Sequence, residues 1–133
     1  MAKAVCFDLD GTLIGSSGQV NNCIWEAAEE ALAAGIKIAV CTGRPGLGVA
    51  FKVAKRLGSG NAHVFQSGAH VGYTDGRTVK VVALKEQDTR QIIELSRDAG
   101  AVLELYTPNS LYVDPPPPMS DRPAARSGVP AHV

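Results

Sequence analysis

Val5-Cys6-Phe7 runs directly into Asp8-Leu9-Asp10-Gly11-Thr12, and this junction constrains the fold more than any other stretch. The apolar run is short and reads as a buried strand. Two carboxylates one residue apart follow it, and a buried sheet does not tolerate such charges without partners. At the carboxyl end of a parallel strand they would face the crevice where open α/β sheets bind ligands. Their spacing points both side chains to one side while extended geometry lasts. A divalent cation is the usual means of keeping two such close carboxylates ionised. One of them can then attack phosphorus while the other moves a proton. A plainer reading is a strand ending in an Asx turn, since Asp and Gly are ordinary turn residues.

The rest of the chain repeats the strand-then-polar-turn pattern. Ile36-Lys37-Ile38-Ala39-Val40-Cys41 is a second apolar strand, and Thr42-Gly43-Arg44-Pro45 closes it. Between the two strands, Asn21 or Asn22 can cap a helix with apolar positions at Ile24, Ala27, Ala28, Ala31 and Leu32, and Gly35 stops it. Trp25 on that helix reads as a packing residue rather than a binding one. Pro45 suits a first helical turn, so a second helix is expected over Gly46 to Leu57. A hydroxyl and backbone N–H groups at such a helix start make a seat for an anion. The strand–helix–strand–helix alternation predicts right-handed parallel crossovers.

Phe7-Asp8-Leu9-Asp10-Gly11-Thr12-Leu13 resembles the first motif of the haloacid dehalogenase-like phosphotransferases, and Thr42-Gly43-Arg44 resembles their second. The resemblance implies Asp8 as nucleophile and Asp10 as general acid/base, with the Asp8 carboxylate and the Asp10 backbone carbonyl holding Mg2+. It implies Leu9, Thr42 and Gly43 as substrate-binding positions, with Thr42 on the transferring phosphoryl group. Ile14 to Gln19 is a polar loop that reads either as a surface loop or as the family's flap over the nucleophile.

Ala62 to Phe65 is a third expected strand, ending at Gln66-Ser67-Gly68-Ala69. The Cof-like branch of the family, whose cap is inserted late, often has Asn-Gly-Ala here, and Ser67 departs from that pattern. His70 to Tyr73 and Thr78 to Val82 flank Asp75-Gly76 as a hairpin, through which Cof-like chains leave the core. Glu86 to Ala99 reads as a helix with an apolar cluster at Ile92, Ile93 and Leu95. Ala101 to Tyr106 and Leu111 to Val113 read as paired strands, and together with that helix they resemble the opening of a Cof-like cap. His63 and His70 show no metal-ligand pattern and read as structural.

The alternation predicts an α/β fold, and the resemblance implies a partial Rossmann-like parallel sheet core followed by the beginning of an α+β cap. The expected division is 1–69 for the half core, 70–114 for hairpin and partial cap, and 115–133 for a proline-rich tail expected to lack order. Thirteen basic residues balance 13 acidic ones, so no electrostatic footprint for nucleic acid or anionic membrane exists. No apolar run approaches a membrane span, and the amino terminus reads as a strand rather than a signal peptide. The three cysteines match no metal-ligand spacing, and Cys6 and Cys41 read as small buried hydrophobes in a reducing cytoplasm.

Two features that complete the family's site are not found in the chain. No Lys follows Lys85, and no Gly-Asp pair occurs. The family resemblance implies a magnesium-dependent phosphatase of small phosphorylated metabolites, truncated before its third and fourth motifs. The alternative is a weak or inactive fragment that binds phosphate or a partner, with self-association through an unpaired sheet edge.

Overall fold

The computed structural model describes residues 3–114 and 131–132. They form two compact units, Met1–Gly46 with Ala50–Val82, and Leu47–Val49 with Ala83–Val133.

In the first unit, strand β1 (Ala4–Phe7) pairs in parallel with β2 (Lys37–Val40), in the register Val5↔Ile38 and Phe7↔Val40. A parallel bridge between Cys41 and Val64 places β3 (His63–Phe65) on the other side of β2. Strands β4 (His70–Gly72) and β5 (Thr78–Val81) then extend the sheet antiparallel. The β4–β5 turn follows the expected Asp75-Gly76 chemistry, with the Arg77 N–H donating to Asp75 Oδ1 at 3.0 Å. The α/β class with a parallel strand core is as the sequence predicts. The hairpin grouped with the cap in the sequence reading instead continues the first unit's sheet.

Helix α1 (Asn22–Ala33) starts where Asn21 Oδ1 accepts the Cys23 N–H. It ends at Gly35 in a left-handed turn that closes Gly35 N–H on the Leu32 carbonyl. Helix α2 (Gly48–Gly58) begins two residues later than expected, so Pro45 lies in the preceding loop, outside the first turn. Gly48, where α2 begins, holds a left-handed φ of 52°, which an earlier helix could not run through. Gly46 lies flat on Phe65, and a Cβ there would come within 2.9 Å of the ring.

Ile38, Val40, Leu57, Phe65 and Leu9 form the centre of the core. α1 covers its strands loosely, because its alanines are too small to fill the space. A cavity of about 400 Å³ remains between Val5, Phe7, Ile24, Ala28, Ile38 and Leu57. The opposite face of β1 and β2 is largely open: Ala4, Cys6, Lys37 and Cys41 are exposed and Ala39 is half-buried. The expectation that Cys6 and Cys41 are buried is therefore corrected. Right-handed crossovers of like direction put both helices on one face. A parallel sheet ordinarily has both faces covered, but among the described residues no helix packs on this one.

In the second unit, α3 (Glu86–Asp98) precedes the hairpin of β6 (Leu103–Tyr106) and β7 (Leu111–Asp114). Leu111 and Val113 are buried, yet no residue of α3 is, and Leu95 is largely exposed. Arg97 grips Asp114 at 2.7 Å and so ties the helix end to β7. The expectation of an unstructured tail is corrected at Ala131–His132, a short strand β8 parallel to β7. Residues 115–130 and Val133 lie outside the described residues.

Candidate active site

Leu9 anchors the first motif. Its side chain is 0% exposed, and its carbonyl accepts the Thr12 and Ile14 N–H groups at 3.3 and 2.7 Å. Any contact from Leu9 to a ligand must therefore come from its backbone. The turn also requires Gly11 at φ +77°, a left-handed conformation that side-chain-bearing residues adopt only with strain. Asp8 and Asp10 consequently stand at the carboxyl end of β1 with their side chains exposed. Ile14 is buried rather than part of a wholly polar loop. Its antiparallel bridge to Val20 closes residues 15–19 into a small flap-like hairpin.

The second motif lies beside the first because β1 and β2 are adjacent and parallel. The Cys41 N–H donates to the Phe7 carbonyl at 2.8 Å, so Asp8 and Thr42 leave the sheet side by side. Thr42 is 4% exposed, and its Oγ1 accepts the Arg44 N–H at 3.2 Å. Among the described residues the Thr42 hydroxyl donates no hydrogen bond, so it can donate to a ligand. Its carbonyl accepts the Ser67 N–H at 3.1 Å, and the Arg44 carbonyl accepts the Gln66 N–H at 2.9 Å. This fastens the loop around Gly43 to the turn after β3. Gln66 and Ser67 pay for that fastening with left-handed backbones, φ 51° and 52°. Ser67 Oγ would lie 3.4 Å from a Cβ at Gly43, so the departure noted at Ser67 sits directly beside the second motif.

Arg44 joins the two motifs. Its Nε donates to Asp10 Oδ2 at 2.7 Å and its Nη2 to Oδ1 at 2.6 Å. The hydrogen bonds from Arg44 hold the Asp10 carboxyl below its usual range, partial burial opposing them and the guanidinium charge adding to them. The sequence reading assigned Arg44 no role of its own. Its place next to Thr42-Gly43 was the available signal, but its partner lies 34 residues away.

Asp8 and Asp10 offer hard oxygen donors, and no third His, Cys, Asp or Glu joins them in a metal-binding group among the described residues. Mg2+ suits so sparse a set, since it keeps several waters and is commonly held by one or two carboxylates plus substrate phosphates. With the Asp10 carboxylate held by Arg44, the Asp8 carboxylate and the Asp10 backbone carbonyl are the donors that fit that ion.

His63 and His70 have no part in this site. His63 is 0% exposed, accepts the Val40 N–H on Nδ1 at 3.1 Å, and meets the Gly58 carbonyl through Nε2 at 3.0 Å. Trp25 carries the Arg56 guanidinium 4.0 Å above its ring, a packing contact.

Residues 5–128 match the haloacid dehalogenase-like hydrolases, and the chain belongs to that family. It is 29% identical over 115 residues to a Bacillus subtilis (strain 168) protein named "Putative phosphatase YxeH", covering 84% of this chain and 43% of that one. A crystal structure of a haloacid dehalogenase-like hydrolase from Bacteroides thetaiotaomicron superposes with a TM-score of 0.85 at 17% identity, over 99% of this chain and 51% of that one. BT1666 from Bacteroides thetaiotaomicron, described among phosphatases of the haloalkanoate superfamily, gives 0.74 at 26% identity, over 100% and 50%. The chain thus spans less than half the length of the curated relatives it matches. No helix among the described residues is long and apolar enough to cross a membrane.

Proposed function

We propose that this chain carries the nucleophile and the phosphoryl seat of a magnesium-dependent phosphomonoesterase acting on small phosphorylated metabolites. The observation that carries this reading is the Arg44–Asp10 pair, which draws the loops after β1 and β2 together at one end of the sheet. Asp8 Oδ attacks phosphorus and the P–O bond to the leaving alcohol breaks. Asp10, released from Arg44 and protonated, gives that alkoxide its proton. A water then loses a proton to Asp10 and attacks the phosphorus of the aspartyl phosphate, which frees phosphate and restores Asp8. Thr42 Oγ–H and the Gly43 N–H hold the phosphoryl oxygens. The Asp8 carboxylate and the Asp10 backbone carbonyl would hold Mg2+, which would supply charge neutralisation.

Turnover by these 133 residues is expected to be slow. The cation and the further acidic motif that the resemblance implies are not found in them, and losing one such electrostatic stabiliser costs roughly 10²–10³ in rate. Hydrolysis of p-nitrophenyl phosphate with Mg2+ tests the reading. We expect a rate barely above background that disappears in Asp8→Asn. A rate that survives Asp8→Asn would exclude Asp8 as nucleophile.

A second reading is favoured by the open face of β1 and β2, and by β1 having a strand partner on one edge alone among the described residues. In it, the chain is a weak or inactive phosphate-binding module that self-associates through this edge. Light scattering across a concentration series tests it, and a monomer throughout would exclude self-association. Three exposed thiols fit a reducing compartment, the cytoplasm in this proposal.

A further inference from the structure

We propose that Arg44 is a phosphoryl-binding residue kept in place by Asp10, exchanging the carboxylate for the phosphoryl group when substrate enters. This rests on the phosphoryl seat assigned above to Thr42 and Gly43. The guanidinium holds Asp10 through two parallel bonds, Nε to Oδ2 at 2.7 Å and Nη2 to Oδ1 at 2.6 Å. A phosphoryl group offers the same pair of oxygens to the same planar fork.

The pair is built to be exchanged. The side chains of Arg44 and Asp10 are 34% and 54% exposed, a setting in which ion pairs are weak and readily traded. The backbone beneath is fixed at three points: Arg44 N–H on Thr42 Oγ1, Gln66 N–H on the Arg44 carbonyl, and Ser67 N–H on the Thr42 carbonyl. The side chain can therefore swing while its root keeps its place beside Thr42 and Gly43. Other arginines with carboxylate partners are occupied elsewhere: Arg56 with Glu29, Arg77 with Asp75, Arg90 with Glu86, Arg97 with Asp114. Among the described residues, Arg44 is the cation paired with a motif carboxylate. A phosphate dianion carries more charge than a carboxylate and attracts the guanidinium more strongly. The exchange would leave Asp10 unclasped next to the bond being broken.

Binding of inorganic phosphate to the full chain in Mg2+ buffer, measured by titration calorimetry, tests the proposal. Arg44→Gln should weaken phosphate binding roughly 10- to 100-fold, the effect of losing charge-assisted hydrogen bonds. Arg44→Lys, which keeps the charge but not the fork, should fall in between and covers the case in which Arg44→Gln does not fold. Asp10→Asn should tighten phosphate binding in the wild-type background, and much less in Arg44→Gln. Equal tightening in both backgrounds would show general charge relief and overturn the proposal. Weakening by Thr42→Val with none by Arg44→Gln or Arg44→Lys would leave the seat standing and remove Arg44 from it. A wild-type chain that binds no phosphate would overturn both.

Discussion

His63 Nδ1 accepts the amide hydrogen of Val40 across 3.1 Å, at a position sealed from solvent. The other ring nitrogen meets the Gly58 carbonyl, so a neutral imidazole with its proton on Nε2 pins β2 to the end of α2. Protonation would put a donor on Nδ1 and turn that contact repulsive.

Stability should therefore depend on pH through His63. Burial lowers its pKa from 6.5, with the Gly58 bond opposing in part, and burial lowers His70 as well. The unfolded chain binds these protons first. Stability should be complete above about pH 6.5 and decline as pH falls toward the lowered folded values. Urea titrations from pH 7.5 to 5 check this, and a midpoint that rises on acidification would contradict it.

Replacing His63 by Phe keeps the bulk but leaves the Val40 N–H buried without an acceptor. The expected cost is about 1–3 kcal/mol, together with a flatter pH dependence between 7.5 and 5. Chemical denaturation of both chains measures both effects. An unchanged midpoint would mean that Val40 finds another partner.

Gly58→Ala should be among the most damaging single-methyl changes. The new Cβ would lie 2.3 Å from the Ile38 carbonyl oxygen, which is backbone in a paired strand and cannot turn aside. We expect a loss of about 1–3 kcal/mol, as for other overpacked cores. Thermal melting with wild-type stability would show that α2 can shift.

At Gly11 the difficulty is conformational rather than steric. Nothing lies within 4 Å of a Cβ there, yet φ is +77°. Gly11→Ala should cost about 1–2 kcal/mol and disturb the loop that presents Asp8 and Asp10. Gly60→Ala, equally open and without that φ, serves as the control. Equal melting temperatures for the two variants would argue against the turn.

Cys6 and Cys41 should react with Ellman's reagent in the native chain almost as fast as in urea, because both are exposed on the open face. Protection that grows with protein concentration would indicate association through that face. Protection at every concentration would show that the chain covers these residues itself.

Local chemistry in the sequence was enough to establish the run of elements. Apolar runs of strand length, Asn21 as a cap, Gly35 as a stop and Asp75-Gly76 as a turn each act within a few residues, so pattern and propensity could locate them. That Asp8, Asp10, Thr42 and Gly43 stand at strand ends was legible for the same reason, since each lies just after an apolar strand. Tertiary structure alone decided what lies across the sheet from what. The Arg44–Asp10 clasp joins residues 34 apart and His63 reaches Val40 over 23, distances at which no sequence pattern specifies a partner. Gly46 packs on Phe65 and Gly48 turns left-handed before α2, neither of which helix-start signals around Pro45 could anticipate. The exposure of Cys6 and Cys41 was equally out of reach of the sequence. An apolar strand residue is buried only if something packs on its side, and the direction of two crossovers put both helices on the other.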